Sequence, residues 1–222
     1  MTGMRTIDRE LPLRLTELFV SLQGESTRIG LPTVFVRLTG CPLRCAWCDT
    51  SYAFEGGEPR SIGEIVDEVL ATGIDTVCVT GGEPLAQPGC LTLLTALCDA
   101  GLSVSLETSG ALDICDVDPR VSRIVDVKPP GSGEVARNRW QNLEVLRASD
   151  ELKFVLADEN DYIWARTRID ADHLERRCPI LMSPVHGRLD PAQLAEWILR
   201  DRMPVRMQLQ LHKLIWGEQP GR

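Results

Sequence analysis

Short β-rich runs alternate with amphipathic helical patterns along almost the whole chain, and this alternation limits the available folds more than any other feature. LTELFVSL (15–22) and TVFVRL (33–38) read as strands. In SIGEIVDEVLATG, Ser61 and Glu64 stand at capping-box spacing, Ile62, Ile65, Val66 and Val69 form an apolar stripe, and Gly73 is a stop. DTVCV is a short strand that runs into TGGEP. A helix pattern follows from about Pro88 to Ala100, and LSVSLET alternates as a half-buried strand does. SRIVDV, ELKFVL, PILMSPV and VRMQLQLH read as further strands. Helices are predicted near 138–147 and 159–169, and from Asp190-Pro191, where Asp caps and Pro takes the first helical position.

Strands separated by helices require a mostly parallel sheet with right-handed crossovers. A complete eight-fold barrel takes about 250 residues. With 222 residues and a leading hairpin, the expected fold is α/β, a partial (β/α)6-type TIM-like barrel with an N-terminal hairpin extension. The chain is read as one domain over 1–222, with 1–14 as an N-terminal extension and 217–222 as a C-terminal tail. Ligands gather at the carboxyl ends of strands in such sheets. The chemically loaded segments fall there: a cysteine loop after VFVRL, GGEP after TVCV, Glu107-Thr108-Ser109 after LSVSL, and Lys128 after RIVDV. QLHK is expected near the end of the last strand.

Hydrophobic residues make up 43% of the chain, enough for a sizeable core, but no segment approaches the roughly 20 apolar residues that cross a bilayer. The N-terminus mixes charges and lacks an apolar signal core, so a cytoplasmic location is expected. A formal net charge of −8 argues against a nucleic-acid surface.

Of eight cysteines, Cys78, Cys90, Cys98, Cys115 and Cys178 are scattered singly and read as buried or bystander thiols. Cys41, Cys45 and Cys48 instead stand at ligand spacing in CPLRCAWC. Thiolates suit zinc or iron–sulfur clusters. Structural zinc wants a fourth ligand, and His173, His186 and His212 lie far away in sequence. Three cysteines on a 4Fe–4S cubane leave one iron open to a small molecule, so the missing fourth cysteine becomes the useful feature.

The CxxxCxxC loop, with Trp47 before its last cysteine, resembles that of the radical S-adenosylmethionine enzymes, and Gly81–Pro84 resembles their GGEP motif. The resemblance implies a 4Fe–4S cluster on Cys41, Cys45 and Cys48 whose open iron chelates S-adenosylmethionine and cleaves it reductively. The two glycines let backbone approach the cofactor's ammonium group. SLQGES (21–26), Thr50 in CDT, and QLHK (210–213) narrow the resemblance to the 7-carboxy-7-deazaguanine synthase family, over most of residues 15–216. That family converts 6-carboxy-5,6,7,8-tetrahydropterin to 7-carboxy-7-deazaguanine with loss of ammonia, toward queuosine and other deazapurines. The resemblance also implies regeneration of the cofactor, a Mg2+ requirement, an electron donor such as flavodoxin, and a homodimer.

Site roles follow from the same resemblance. Gln23, Gly24 and Glu25 would read the pterin edge, Arg37 its carboxylate as a bidentate partner, and His212 would approach the ring. Thr50 matches the Mg2+ contact, since hydroxyl oxygen is a hard ligand. Trp47, Gly81, Gly82, Glu83, Glu107, Ser109, Lys128 and Lys153 would line the S-adenosylmethionine side. No general base for ammonia loss is named. His173 and His186 are read as ordinary surface or core histidines.

The chain has LQGES where relatives commonly have LQGEG, DVKPP for an SPK run, and QLHK for QTHK. Two other readings compete: an activase for a glycyl-radical partner, which shares the cysteine loop, and a non-catalytic iron–sulfur or zinc module. A fourth ligand from Cys78 or Cys178 would favour the latter.

Overall fold

The computed structural model describes residues 7–217, 219 and 221. Residues 1–6 of the expected N-terminal extension, and 218, 220 and 222 of the expected tail, lie outside the described residues.

The chain opens with an antiparallel pair, β1 (Pro12–Leu22) and β2 (Pro32–Leu38). Next come β3 (Glu58–Ser61), α1 (Ile62–Ala71), β4 (Thr76–Gly81), α2 (Cys90–Asp99), β5 (Ser103–Thr108) and β6 (Ser122–Val127). The remainder is β7 (Glu151–Leu156), α3 (Glu159–Asp172), β8 (Ile180–Pro184), α4 (Pro191–Asp201), β9 (Arg206–Met207) and α5 (Leu211–Trp216). One sheet holds all nine strands in the order β3-β1-β2-β4-β5-β6-β7-β8-β9. From β2 to β9 every pairing is parallel. The α/β partial barrel with a leading hairpin is therefore the observed architecture.

Local chemistry explains most boundaries. The capping box forms as the spacing predicts: Ser61 Oγ accepts from Glu64 N at 3.2 Å and the Glu64 carboxylate accepts from Ser61 N at 2.8 Å. Asp190 accepts from Ala192 N at 2.9 Å, with Pro191 opening α4. Alternation then divides the strands into two faces. Val77, Val79, Val104, Leu106, Val125, Val127, Leu152, Phe154, Ile180 and Met182 point outward into the core beneath the helices. The other parity of the same strands points into a cavity inside the curled sheet.

Four sequence expectations need correction. Of the expected N-terminal extension, residues 12–14 belong to the sheet: β1 starts at Pro12, and Leu13 is buried in the core. β3 was not foreseen, because EPRS is short, carries a proline, and shows no alternation. The helix expected at 138–147 is a 3₁₀ segment over Trp140–Val145. There the Asn142 side chain donates to the Gly110 and Leu112 carbonyls at 3.0 and 2.8 Å, pinning the chain to the β5–β6 connection. The last strand keeps only two residues. Gln208 N still reaches Met182 O at 3.0 Å, but QLHK then enters α5 instead of ending a strand.

β3 and β9 stay on opposite edges, so strands do not close the barrel. The β1–β2 loop, residues 23–31, fills the amino-terminal mouth. Thr27 N donates to Glu151 on β7 at 3.0 Å, and Arg28 reaches the Ser103 carbonyl on β5 at 3.2 Å. The loop also meets the C-terminal segment: Ser26 N donates to Gln208 Oε1 at 2.8 Å, and Leu211 N to Gly24 O at 2.9 Å. Ser26 sits at φ 66°, a left-handed conformation that explains why glycine suits this position. Its hydroxyl accepts from Arg28 N at 3.0 Å, a local turn bond that offsets part of the strain.

Candidate active site

The cavity holds about 500 Å³ and lies between the carboxyl ends of the strands and the loop that plugs the other mouth. Its rim is the cysteine loop. Cys41, Cys45 and Cys48 all line it, with Trp47 and Thr50. Packing and hydrogen bonds fix this loop from several sides. Leu43 is buried beneath it, Ala46 N donates to Ser132 O at 3.0 Å, and the Arg188 side chain reaches the Ala46 carbonyl at 3.3 Å. Arg44 donates to the Cys41 and Leu43 carbonyls, both at 2.7 Å, and lies over Phe54. Burial pushes the Cys41 and Cys45 thiols up, so a metal that takes the thiolates must displace their protons.

None of the other five cysteines lines the cavity. Cys78 and Cys178, the two possible fourth ligands, are buried elsewhere. Among the described residues no group of three or more His, Cys, Asp or Glu side chains converges on one metal ion. The donor set is therefore three soft thiols on one loop, each free to take a different iron. This fits a cubane and does not fit tetrahedral zinc.

GGEP forms the adjoining wall, for a reason the sequence did not reveal. A Cβ on Gly81 would strike the Leu38 carbonyl, and one on Gly82 would strike Gly40 O and the Cys41 Cβ. The glycines thus let the turn lie against the cysteine loop, where Glu83 N donates to Gly40 O at 2.8 Å. Glu83 was expected to hold the cofactor, but its side chain is fully buried away from the cavity. It accepts from Leu85 N at 3.1 Å, Thr108 Oγ1 at 2.9 Å, Ser109 N at 2.7 Å and the Ser109 hydroxyl. Through these bonds it positions the end of β5, and Ser109 beside the cavity.

Deeper groups come from the inward parity of the strands. Arg37 on β2 lines the cavity and pairs with Glu17 at 2.7 Å, and Tyr52 also donates to Glu17 at 2.8 Å. Glu17 keeps Arg37 charged despite its burial. Asp126 on β6 and Lys128, the residue just past its end, both face the cavity and form a 2.9 Å pair. Asp126 Oδ1 is buried without a partner. Lys153 was grouped with the cofactor side, but it pairs with Glu25 of the plug loop. Burial alone would lower Lys153; Glu25, Asp126 and Glu107 outweigh it and hold the lysine above its ordinary value. Glu107, on β5, accepts from Thr80 at 3.1 Å, and burial pushes its carboxyl up.

The plug loop leaves polar atoms that no protein group satisfies. Glu25 Oε1 and Gln23 Nε2 are buried and unpartnered, one an acceptor and one a donor, and both residues line the cavity. Buried polar atoms normally have partners, so this pair is what a hydrogen-bonding ligand would complete. Gly24 lets His212 lie against the loop, since a Cβ there would collide with His212 Nδ1. Burial lowers the His212 pKa and favours the neutral ring. Phe19 and Phe35 stack with centroids 5.0 Å apart and also line the cavity.

The sequence reading missed Asp126, the Phe19–Phe35 pair, Asp49 and His186, all of which line the cavity. Strand parity was the available signal for Asp126 and Phe35: each is two residues before a residue already singled out. His186 follows β8, so its place could have been read from the strand-end rule; His173 instead caps α3 at φ 50°, away from the cavity.

The Radical SAM superfamily matches residues 35–127. A 7-carboxy-7-deazaguanine synthase from Chlorobaculum tepidum is 50% identical over 94% of this chain and 96% of its own length. Another, from Koribacter versatilis, is 44% identical over 92% of this chain and 97% of its own. The chain belongs to the 7-carboxy-7-deazaguanine synthase family. The crystal structure of QueE from Escherichia coli superposes with a TM-score of 0.73 at 24% identity, covering 90% of this chain and 95% of that one, and so supports the fold. As a radical enzyme of this family, the chain uses a 4Fe–4S cluster and S-adenosylmethionine. Among the described residues no helix is long and apolar enough to cross a membrane.

Proposed function

We propose that this cavity converts 6-carboxy-5,6,7,8-tetrahydropterin to 7-carboxy-7-deazaguanine and ammonia, a step toward queuosine and related deazapurines. The observation that carries the reading is that the three cluster cysteines and the unpartnered Glu25–Gln23 pair face one cavity from opposite ends. An aminopyrimidinone edge offers the matching donors and acceptor. When bound, the cluster and S-adenosylmethionine supply the hydrogen-atom abstraction that begins the ring contraction.

The chain's own residues bind, orient and exclude water. Glu25 Oε1 and Gln23 Nε2 hold the pterin edge, with Lys153 fixing the Glu25 carboxylate from behind. The Phe19–Phe35 pair offers a flat apolar wall for the bicyclic ring. Arg37, which shares its charge with Glu17, takes the substrate carboxylate, and neutral His212 closes the side next to Gly24. Gly81, Gly82, Ser109, Trp47 and Lys128 form the cofactor side. Thr50 donates to Asp49 at 2.9 Å, which leaves its oxygen lone pairs for Mg2+. Asp49 is held in turn by Lys213 at 3.1 Å, which keeps its pKa low against the effect of burial. A one-electron donor such as flavodoxin and a homodimeric assembly complete the reading.

An anaerobic turnover assay tests it: reconstituted protein, S-adenosylmethionine, a reductant, Mg2+ and the pterin, with products read by mass spectrometry. The expected result is 7-carboxy-7-deazaguanine. A fully loaded cluster that generates 5′-deoxyadenosine without that product would refute the substrate assignment.

A further inference from the structure

Four carboxylates line the cavity, and three are committed to lysines: Glu25 to Lys153, Asp49 to Lys213 and Asp126 to Lys128. Glu107 is the fourth. Among the described residues it has no ion-pair partner, and its side chain receives one hydrogen bond, from Thr80 onto Oε2. Its Oε1 accepts nothing from the protein. Glu107 stands on β5 between the two ends of the cavity, with Arg37 on β2, Cys78 and Thr80 on β4, Lys153 on β7 and Glu25 of the plug loop around it.

A group that both gives and takes a proton must exist readily in both forms. Each of the three paired carboxylates holds a lysine ammonium group. Glu107 holds none, and burial pushes its carboxyl up toward the protonated form, opposed by Lys153, aided by the Glu25 charge, and opposed again by Thr80 and Arg37.

We propose that Glu107 is the catalytic proton carrier for the loss of ammonia, an inference that rests on the reaction proposed above. Substrate and product differ by one NH3. The Glu107 carboxylic acid gives its proton to the departing nitrogen, and the C–N bond breaks with its electron pair going to that nitrogen. The resulting carboxylate takes a proton from the adjacent ring carbon, whose C–H electron pair becomes the new ring double bond. Glu107 ends as it began, and no oxidant, reductant or further reactant is needed.

The test compares the wild-type holoenzyme with Glu107→Gln and Glu107→Asp, after cluster content and thermal unfolding have been matched. Pterin deuterated at the carbon whose hydrogen atom is abstracted is supplied, label in S-adenosylmethionine is followed, and ammonia and product are quantified. In Glu107→Gln we expect the label to keep passing into S-adenosylmethionine with unchanged cofactor affinity, while ammonia and product fall about 100-fold or more. An isomer of the substrate, equal to it in mass and separated from it by chromatography, accumulates. Glu107→Asp recovers part of the rate with a displaced pH profile, and it carries the test if the glutamine variant does not fold. Product formed by Glu107→Gln at the wild-type rate overturns the proposal. So does joint loss of label transfer and cofactor affinity, which would return Glu107 to the cofactor side. Wild-type enzyme that makes no product overturns the reaction itself, a result distinct from both.

Discussion

The two faces of the parallel strands contrast sharply. On the outward face, Val104 and Leu106 on β5, or Leu152 and Phe154 on β7, are buried against helices and one another. On the inward face of the same strands stand Glu107 and Lys153, beside Arg37, Thr80, Asp126 and Ser183. A strand changes face at every residue, so neighbours such as Lys153 and Phe154 answer to different demands. The outward face holds the sheet to its helices by removing apolar surface from water. The inward face leaves charges to be balanced in pairs and leaves some polar atoms unpaired, as a site awaiting ligands does.

That contrast can be broken from either side. The largest effect is expected at the rim, where Cys45→Ala should abolish cluster assembly and turnover with little change in the unfolding midpoint. Iron content, the visible spectrum and thermal unfolding check it together, and a variant that keeps a full cluster would contradict the three-thiol site. On the outward face, Phe154→Ala should cost about 3–5 kcal/mol of stability, read by urea unfolding, while the cluster still assembles in the protein that remains folded. On the inward face, Lys153→Met strands the Glu25 carboxylate and should cost a similar ~3–5 kcal/mol. Adding Glu25→Gln should recover most of that stability without restoring pterin binding. If stability and binding recovered together, the pair would be scaffolding alone.

Smaller effects sharpen the picture at the plug loop. Ser26→Gly should stabilise the fold by about 1 kcal/mol, because Ser26 holds a left-handed backbone that glycine adopts freely. The smallest effect is a pH dependence. Burial lowers the folded-state pKa of His212, so the unfolded chain binds its proton more readily. Stability should therefore fall as pH drops through the unfolded value near 6.5, and His212→Gln should flatten that part of the profile. Paired unfolding curves from pH 7.5 to 5 measure the difference.

The outward face was legible in the sequence because it obeys simple periods. Alternation placed β5, the stripe with its capping box placed α1, and Asp190-Pro191 placed the start of α4. The site was legible where chemistry is concentrated in one segment, as in Cys41–Thr50 and Gly81–Pro84. It was less legible where meaning depends on the partner. Nothing in ELKFV says that Lys153 meets a carboxylate 128 residues earlier in the chain, and nothing in GGEP says that Glu83 turns toward Ser109 rather than a ligand. The 3₁₀ segment at 140–145 and the short β9 were misread for the same reason. Asn142 and Gln208 hydrogen-bond to distant loops, and those bonds override local preference.

The mouth of the barrel closed by Gly24 and Leu211 instead of by strand pairing has a consequence for how the protein is made. A ribosome delivers the cysteine loop early, but the Gln23–Glu25 turn finds its counterpart at Gln208–His212 only after all nine strands of the sheet have been made. The substrate end of the pocket is thus assembled after the cluster loop and after the sheet. A nascent chain cut a few residues before α5 would retain every cluster ligand and yet lack the His212 wall of the pocket.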